Sequence, residues 1–134
     1  MRKTRRQIAR EKATIGIYQN LLVDSSLEEI KEYLNGYRIL RESEESMAFS
    51  QWIVETTLKN KNSYIKLLES HLKKGWTFAR LGTFEQAILL SATCELLESD
   101  LPKQIVINEA VILAKEFCDN DSYKYINGVL TQVI

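Results

Sequence analysis

Hydrophobic residues recur along this chain at steps of three, four or seven positions, and no stretch alternates convincingly between apolar and polar residues as a half-buried strand would. Ile8, Ile15, Tyr18 and Leu22 share one face of a first helix, expected over about residues 4–22. The same spacing predicts six further helices, over about residues 26–35, 44–59, 63–75, 83–97, 102–117 and from 122 onward. We therefore expect an all-α fold, a compact single-domain bundle of about seven helices.

The ends of the predicted helices carry their own signals. Ser26 and Thr83 are each followed three residues later by Glu or Gln, which predicts a capping box at the start of the second and fifth helices. Asn35-Gly36 is expected to end the second helix as a left-handed C-cap pair. Pro102 stands where a first helical residue is favoured.

Two glycines lie inside predicted helices, where Gly is about 1 kcal/mol less favourable than Ala. They are Gly16 in the first helix and Gly128 in the last. Both are expected at points where another helix packs closely.

Composition narrows the class of protein. The 134 residues are 45% hydrophobic and 27% charged, as in ordinary soluble proteins, and their number fits one domain over residues 1–134. One His and two Cys exclude most zinc sites and any framework of several disulfides. Cys94 and Cys118 are expected to be small buried hydrophobes of a reducing cytosol. No apolar run approaches the roughly 18 residues of a membrane span, so we expect a cytoplasmic protein and no membrane insertion.

The net charge of zero conceals an uneven distribution. Residues 1–12, which we call the basic arm, hold six basic residues against Glu11 alone, and the remaining 122 residues carry a net charge of −5. Cations at the start of a helix oppose its dipole by roughly 0.3–1 kcal/mol each, so a cluster there indicates a ligand with phosphates. The alternatives are a solvated helix face or attraction to an anionic membrane surface, although the apolar face of this helix is expected to pack into the fold.

A single-stranded RNA interface combines cations with aromatic side chains, because unstacked bases lie on aromatic rings next to the cations. Tyr18 follows the arm on its helix, and Phe117, Tyr123 and Tyr125 flank the loop of residues 118–122. Each ring taken alone is more often a core residue. Together with the arm they form a candidate surface if the fold brings them close.

No motif in the sequence indicates a catalytic or cofactor site. Asp119 and Asp121 resemble the start of a calcium loop, but Lys124 and Leu130 occupy the positions that need Gly and Glu. The sequence around His71 shows no acid–nucleophile arrangement typical of a catalytic triad, and no glycine-rich phosphate loop is present. We expect a protein that is not an enzyme and that uses no cofactor or metal.

Several motifs resemble the NusB family. In the C-terminal half they are Trp76-Thr77-Phe78-Ala79-Arg80, Phe84-Glu85-Gln86-Ala87-Ile88-Leu89, Asp100-Leu101-Pro102, Val106-Ile107-Asn108-Glu109-Ala110-Val111 and Ser122-Tyr123-Lys124-Tyr125-Ile126-Asn127-Gly128. Near the N-terminus, Ala9-Arg10-Glu11-Lys12-Ala13 is also similar, with Tyr18 after it. The resemblance covers roughly residues 5–18 and 76–131.

This resemblance implies a bacterial transcription antitermination factor without a catalytic domain. Such a protein binds boxA RNA of rRNA operon leaders together with the ribosomal protein NusE, and acts in the transcription elongation complex with other Nus factors to promote processive transcription of rRNA. The residues that match the family's RNA-binding positions are Arg2, Lys3, Arg5, Arg6, Arg10, Tyr18, His71, Phe117, Asp121, Lys124 and Tyr125. Glu85 matches a position that faces NusE.

A second hypothesis stays open. The chain departs from the family at Leu90 and Cys94, where Arg and an aromatic residue are usual, near the region expected to bind the partner. A non-catalytic protein–protein adaptor or homodimer, with only nonspecific RNA affinity, would use the arm to meet an acidic partner or leave it solvated.

Overall fold

The computed structural model describes residues 2–133, which form eight α-helices and one short 3₁₀ helix, without strands. The α-helices are α1 (Arg5–Val23), α2 (Leu27–Asn35), α3 (Arg38–Arg41), α4 (Glu44–Lys59), α5 (Lys61–Glu69), α6 (Thr83–Glu98), α7 (Lys103–Phe117) and α8 (Ser122–Val133). The 3₁₀ helix, Phe78–Arg80, precedes α6. The predicted all-α class is confirmed. None of these helices is both long and apolar enough to cross a membrane.

Helix α6 is the centre of the bundle, and every residue from Ala87 to Leu96 is buried. It packs against α1, α4, α5, α7 and α8. A helix enclosed on all sides needs small or apolar residues around its whole circumference, and within the buried stretch from Ala87 to Leu96 the only charged residue is Glu95. Cys94 lies in this enclosed stretch, where burial raises the pKa of its thiol to about 12, whereas Cys118 at the end of α7 is only half-buried.

Helix α1 packs most extensively on α4 and then on α6. The Ser50 hydroxyl of α4 donates to the carbonyl oxygen of Ala9 at 2.9 Å, and the hydroxyls of Thr14 and Ser91 lie 3.1 Å apart between α1 and α6. Buried hydroxyls are costly unless they are hydrogen-bonded, so these pairs favour one register of α1 over others. These hydrogen bonds therefore fix the placement of α1, which carries the basic arm, on α4 and α6.

Gly16 lies at a close approach between helices, as its sequence context predicted. A Cβ atom there would lie 2.5 Å from Cγ2 of Ile30 on α2, which is closer than atoms in contact can approach. The same prediction is wrong for Gly128, which is exposed on α8, where an added Cβ atom would meet no heavy atom within 4 Å. Its helical face points to solvent, so no neighbour requires the small residue.

Some of the predicted helix caps are present in the structure and others are not. The capping box at Ser26 is confirmed, since its hydroxyl accepts from Glu29 N–H at 3.1 Å and the Glu29 carboxylate accepts from Ser26 N–H at 2.9 Å. Gly36 has φ −70°, so the expected left-handed cap is wrong there, and Asp24 after α1 is left-handed instead, with φ 58°. Thr83 begins α6 rather than capping it, because the Glu85 carboxylate accepts from Gly82 N–H at 3.1 Å.

The fourth predicted helix ends earlier than expected. It is α5, which stops at Glu69 rather than near Gly75. The Glu69 carboxylate accepts a hydrogen bond from Phe78 N–H at 2.7 Å, which ties the end of α5 to the 3₁₀ helix. The intervening residues form turns, and Gly75 adopts a positive φ of 88°. This arrangement leaves Trp76 and Arg80 on the surface beside the start of α6.

Candidate nucleic-acid interface

The basic arm leads directly into a well-defined helix start. The Thr4 hydroxyl accepts from Gln7 N–H and the Gln7 side-chain oxygen accepts from Thr4 N–H, both at 3.0 Å. The amide nitrogen of the same Gln7 side chain donates to both carboxylate oxygens of Glu109 on α7 at 3.2 Å. One side chain therefore caps α1 and fixes the arm against α7.

The five arm cations predicted to contact RNA have different surroundings. Arg2 and Arg5 are exposed, and within residues 2–133 neither has an ion pair. Arg6 is exposed, with its guanidinium 3.5 Å from the Phe49 ring centroid and 3.8 Å from the Glu45 carboxylate. Two of the five positions thus present cations that are free to meet a polyanion, and a third stands over an aromatic ring.

Lys3 is held by two carboxylates. Its Nζ donates to Glu116 at 2.6 Å and also to Glu11. Hydrogen bonds to Glu11 and then Glu116 raise the pKa of Lys3. The same ammonium lies 5.8 Å from the centroid of the Phe117 ring, so it joins the arm to the end of α7.

Arg10 is placed differently from the expectation of an RNA contact, because it is 5% exposed inside the bundle. Its Nε and Nη2 donate to the two carboxylate oxygens of Glu95 on α6 at 2.7 and 2.9 Å. The Glu109 carboxylate is 3.8 Å from Nη1. The guanidinium is therefore occupied by a paired, bidentate interaction in the core and is not presented to solvent.

Three aromatic rings form a row that runs from α1 across α6 to α7. The ring centroids of Tyr18 and Phe84 are 5.1 Å apart, and those of Phe84 and Phe117 are 4.9 Å apart at an interplanar angle of 22°. Phe117 is 39% exposed at the outer end of this row. The sequence had indicated Tyr18 and Phe117 separately, and the role of Phe84 between them was missed because its position is typical of the first apolar residue of a helix.

A second group lies at the start of α8. Lys124 is exposed with its Nζ 3.6 Å from the exposed Asp121 carboxylate. The ammonium groups of Lys115 and Lys124 lie 4.7 and 6.0 Å from the Tyr123 ring centroid. These contacts produce a cation–aromatic cluster that spans the end of α7 and the start of α8.

Glu85 and Tyr125 line one pocket, although the resemblance assigned them to different partners. Burial, and then the negative charge of Glu85, raise the pKa of Tyr125. Trp76 and Arg80 line the same pocket. His71 is half-buried in the turn after α5, and within the described chain no hydrogen bond or ring contact joins its side chain to the arm or the aromatic row.

The arrangement has the parts of a single-stranded nucleic-acid surface: long cationic side chains next to a partly exposed row of rings. Residues 2–133 contain no group of three or more His, Cys, Asp or Glu side chains placed to bind a metal ion. The fold and site thus define an all-helical protein with a candidate cationic and aromatic surface.

Comparison with known proteins gives the family. Residues 7–134 match the NusB family, and the chain belongs to it. The transcription antitermination protein NusB of Halalkalibacterium halodurans is 35% identical over 96% of this chain and 92% of its own length. The protein of the same name from Oceanobacillus iheyensis is also 35% identical, over 96% of this chain and 98% of its own. Both relatives are named as transcription antitermination proteins, and membership of this family agrees with the expectation that the chain is not an enzyme.

Solved structures give the same fold. NusB of T. maritima superposes with a TM-score of 0.84 at 26% identity, over 99% of this chain and 92% of that one. A structure of the antitermination factors NusB and NusE in complex with double-stranded RNA matches with a TM-score of 0.81 at 26% identity, over 96% of this chain and 95% of that one. The resemblance stated from the sequence motifs is confirmed.

Proposed function

We propose that this protein is a cytoplasmic transcription antitermination factor that binds boxA-type single-stranded RNA of rRNA operon leaders. It acts together with NusE, within an elongation complex that includes other Nus factors, and so promotes processive transcription of rRNA. The observation that carries the proposal is the contact of Lys3 with Phe117, because it brings the basic arm and the aromatic row into one surface. Support also comes from the NusB relatives and from the NusB–NusE–RNA structure that shares the fold.

The surroundings of each residue on this surface indicate which part of the RNA it would contact. Arg2 and Arg5 are free to form bidentate contacts with phosphate oxygens, which give affinity without sequence preference. Phe117 is partly exposed and offers a ring on which an unstacked base can lie, and Phe84 stacks against that ring. Base contacts at the ring and at Asp121 and Lys124 would then supply preference for one sequence over another.

The testing experiment is a fluorescence-anisotropy titration of a labelled boxA-type RNA, beside a scrambled RNA of equal length, with and without NusE. We expect boxA-type RNA to bind more tightly than the scrambled RNA, and more tightly again with NusE present. The double variant R2Q/R5Q should bind both RNAs more weakly, with a salt slope smaller in magnitude by about 1.4, since each phosphate neutralised on a single strand contributes about 0.7.

The matched control is R38Q/R41Q, which removes two exposed arginines from α3, outside the arm. This control should leave both affinity and salt slope unchanged. Equal and weak binding of both RNAs, unaffected by NusE, would instead favour an adaptor or homodimer with a nonspecific polyanion site.

A further inference from the structure

A pocket of about 320 Å³ opens between the 3₁₀ helix, the start of α6 and α8. Its main lining side chains are Lys73, Trp76, Arg80, Leu81, Glu85 and Tyr125. Trp76, Arg80 and Lys73 have no part in the surface described above. Two of its lining residues, Glu85 and Tyr125, directly follow Phe84 and Lys124 of that surface in the sequence.

Trp76 is a large apolar ring left 45% exposed at this pocket. The guanidinium of Arg80 stands over it at 4.7 Å from the ring centroid, and Arg80 Nη1 also donates to the carbonyl oxygen of Gly75 at 3.2 Å. The turn that includes Gly75, at its positive φ, therefore fixes the orientation of the guanidinium. Indole and guanidinium together make a flat, cationic platform of the kind that stacks on nucleobases.

The pocket lining contains an unsatisfied polar atom. The Tyr125 hydroxyl is buried and makes no hydrogen bond within the described chain. Most buried polar atoms are paired, so a hydroxyl left unpaired beside a pocket indicates a position for a polar ligand atom. The Glu85 carboxylate has one oxygen engaged by Gly82 N–H and can accept a further hydrogen bond, such as one from the amino group of a base.

We propose that this pocket is a subsite for one nucleotide of the bound single-stranded RNA, next to the nucleotides held by the arm and the aromatic row. Its base stacks at Trp76 and Arg80, its polar edge reaches Tyr125 and Glu85, and its phosphate lies toward Lys73. This inference rests on the proposed RNA-binding function and extends the RNA path across the start of α6. The stacked indole and guanidinium favour a nucleotide over an acidic peptide, because a base can stack on them and an aspartate or glutamate side chain cannot.

The first test uses the intrinsic fluorescence of Trp76. The chain has two tryptophans, and Trp52 packs on Phe49 of α4, away from the pocket, so W52F leaves Trp76 as the reporter. Titration of the W52F protein with unlabelled boxA-type RNA should quench the emission over the same concentration range in which anisotropy reports binding. Emission that stays constant while the RNA binds would overturn the subsite.

The second test measures RNA affinity with substitutions in the pocket. W76L should weaken binding about tenfold, the loss expected from one base–aromatic stack. W76F should retain most of the affinity, which separates loss of the ring from loss of folding. K73Q should reduce the magnitude of the salt slope by about 0.7, while K74Q, at the neighbouring exposed lysine outside the pocket, should not.

Three other outcomes are informative. Arm-dependent RNA binding with W76L and K73Q unchanged would overturn the subsite and leave the proposed function intact. Quenching of Trp76 by NusE alone, with W76L weakening NusE binding and not RNA binding, would overturn it in favour of a protein contact. Absence of RNA binding by the unaltered protein would overturn the proposed function and this inference together.

Discussion

Arg10 and Glu95 form a bidentate ion pair inside the bundle, with Arg10 on the helix of the basic arm and Glu95 on the enclosed helix α6. Their side chains are 7% and 1% exposed. Removing one partner of such a pair leaves an uncompensated buried charge, which typically costs about 3–5 kcal/mol. The pair therefore fixes α1 on α6 and places the rest of the arm.

R10A should lower the free energy of unfolding by about 3 kcal/mol or more, for that reason. Urea denaturation followed by far-UV circular dichroism measures the change. R5A, at an exposed arm position, should change stability by less than about 0.5 kcal/mol. A small loss of stability in R10A would contradict a structural role for this arginine, and the double variant R10M/E95L should recover part of the stability that R10A loses.

The two helical glycines should respond in opposite directions to alanine. G16A forces a methyl group against Ile30 and should destabilise the protein by about 1–3 kcal/mol. G128A adds the same group in open space within a helix and should stabilise by about 0.5–1 kcal/mol. Thermal or urea unfolding of both variants measures the two changes, and each variant serves as the control for the other. Equal changes in the free energy of unfolding would contradict the different surroundings of Gly16 and Gly128.

Phe117 should matter for RNA more than for folding. Replacing it with Leu removes the outer ring of the aromatic row, and boxA-type RNA should bind at least fivefold more weakly, since a base–ring stack contributes about 1–3 kcal/mol. I112L on the same helix alters a residue that is similarly exposed but outside the row, and should leave affinity unchanged. Anisotropy titration of both variants compares them; equal affinities would remove Phe117 from the interface.

The lowered pKa of Glu11 predicts that the protein loses stability in acid. Burial alone would raise its pKa, but hydrogen bonds from Lys3 and Lys12 hold the pKa below its ordinary value of 4.5. A carboxyl whose pKa is lower in the folded state contributes stability above its unfolded pKa and loses that contribution as the pH falls through the folded pKa. Stability measured from pH 6 downward should therefore fall below about pH 4.5, and E11Q should show a shallower fall over that range.

Local signals predicted local structure well. The bounds of α4 and the Ser26 capping box depend on residues within one or two helical turns, and both agree with the structure. The four-residue helix α3 was missed because so short a segment shows no hydrophobic period. The early end of α5 was missed for another reason: the carboxylate of Glu69 binds a backbone N–H nine positions later, which no periodicity records.

The candidate site shows more clearly that contacts between distant parts of the chain cannot be predicted from local sequence patterns. The arm cations look alike in the sequence, yet one of them, Arg10, is paired with Glu95 at a distance of 85 positions along the chain. Gly16 and Gly128 both stand inside predicted helices, but Gly16 is crowded by Ile30 whereas Gly128 has open space beside it. Which cation is free and which glycine is crowded depends on the helix packed alongside. Composition and spacing could therefore predict a candidate surface, while the surroundings of its members required the structure.

The carboxylates around Lys3 have a consequence for how the arm exchanges ions. The carboxylates of Glu116 and Glu11 bind the Lys3 ammonium as phosphate oxygens would. The protein itself therefore supplies counter-ions for this cation. In the proposed RNA complex, a phosphate that displaces Glu116 from Lys3 would release a carboxylate of the protein rather than a salt ion into solution. Binding at Lys3 then adds little to the dependence of affinity on salt, and salt titrations will report fewer phosphate contacts than the arm makes. In the proposed complex the freed carboxylate would repel the strand, so that Lys3 would favour ligands that make further contacts at the rings and the bases.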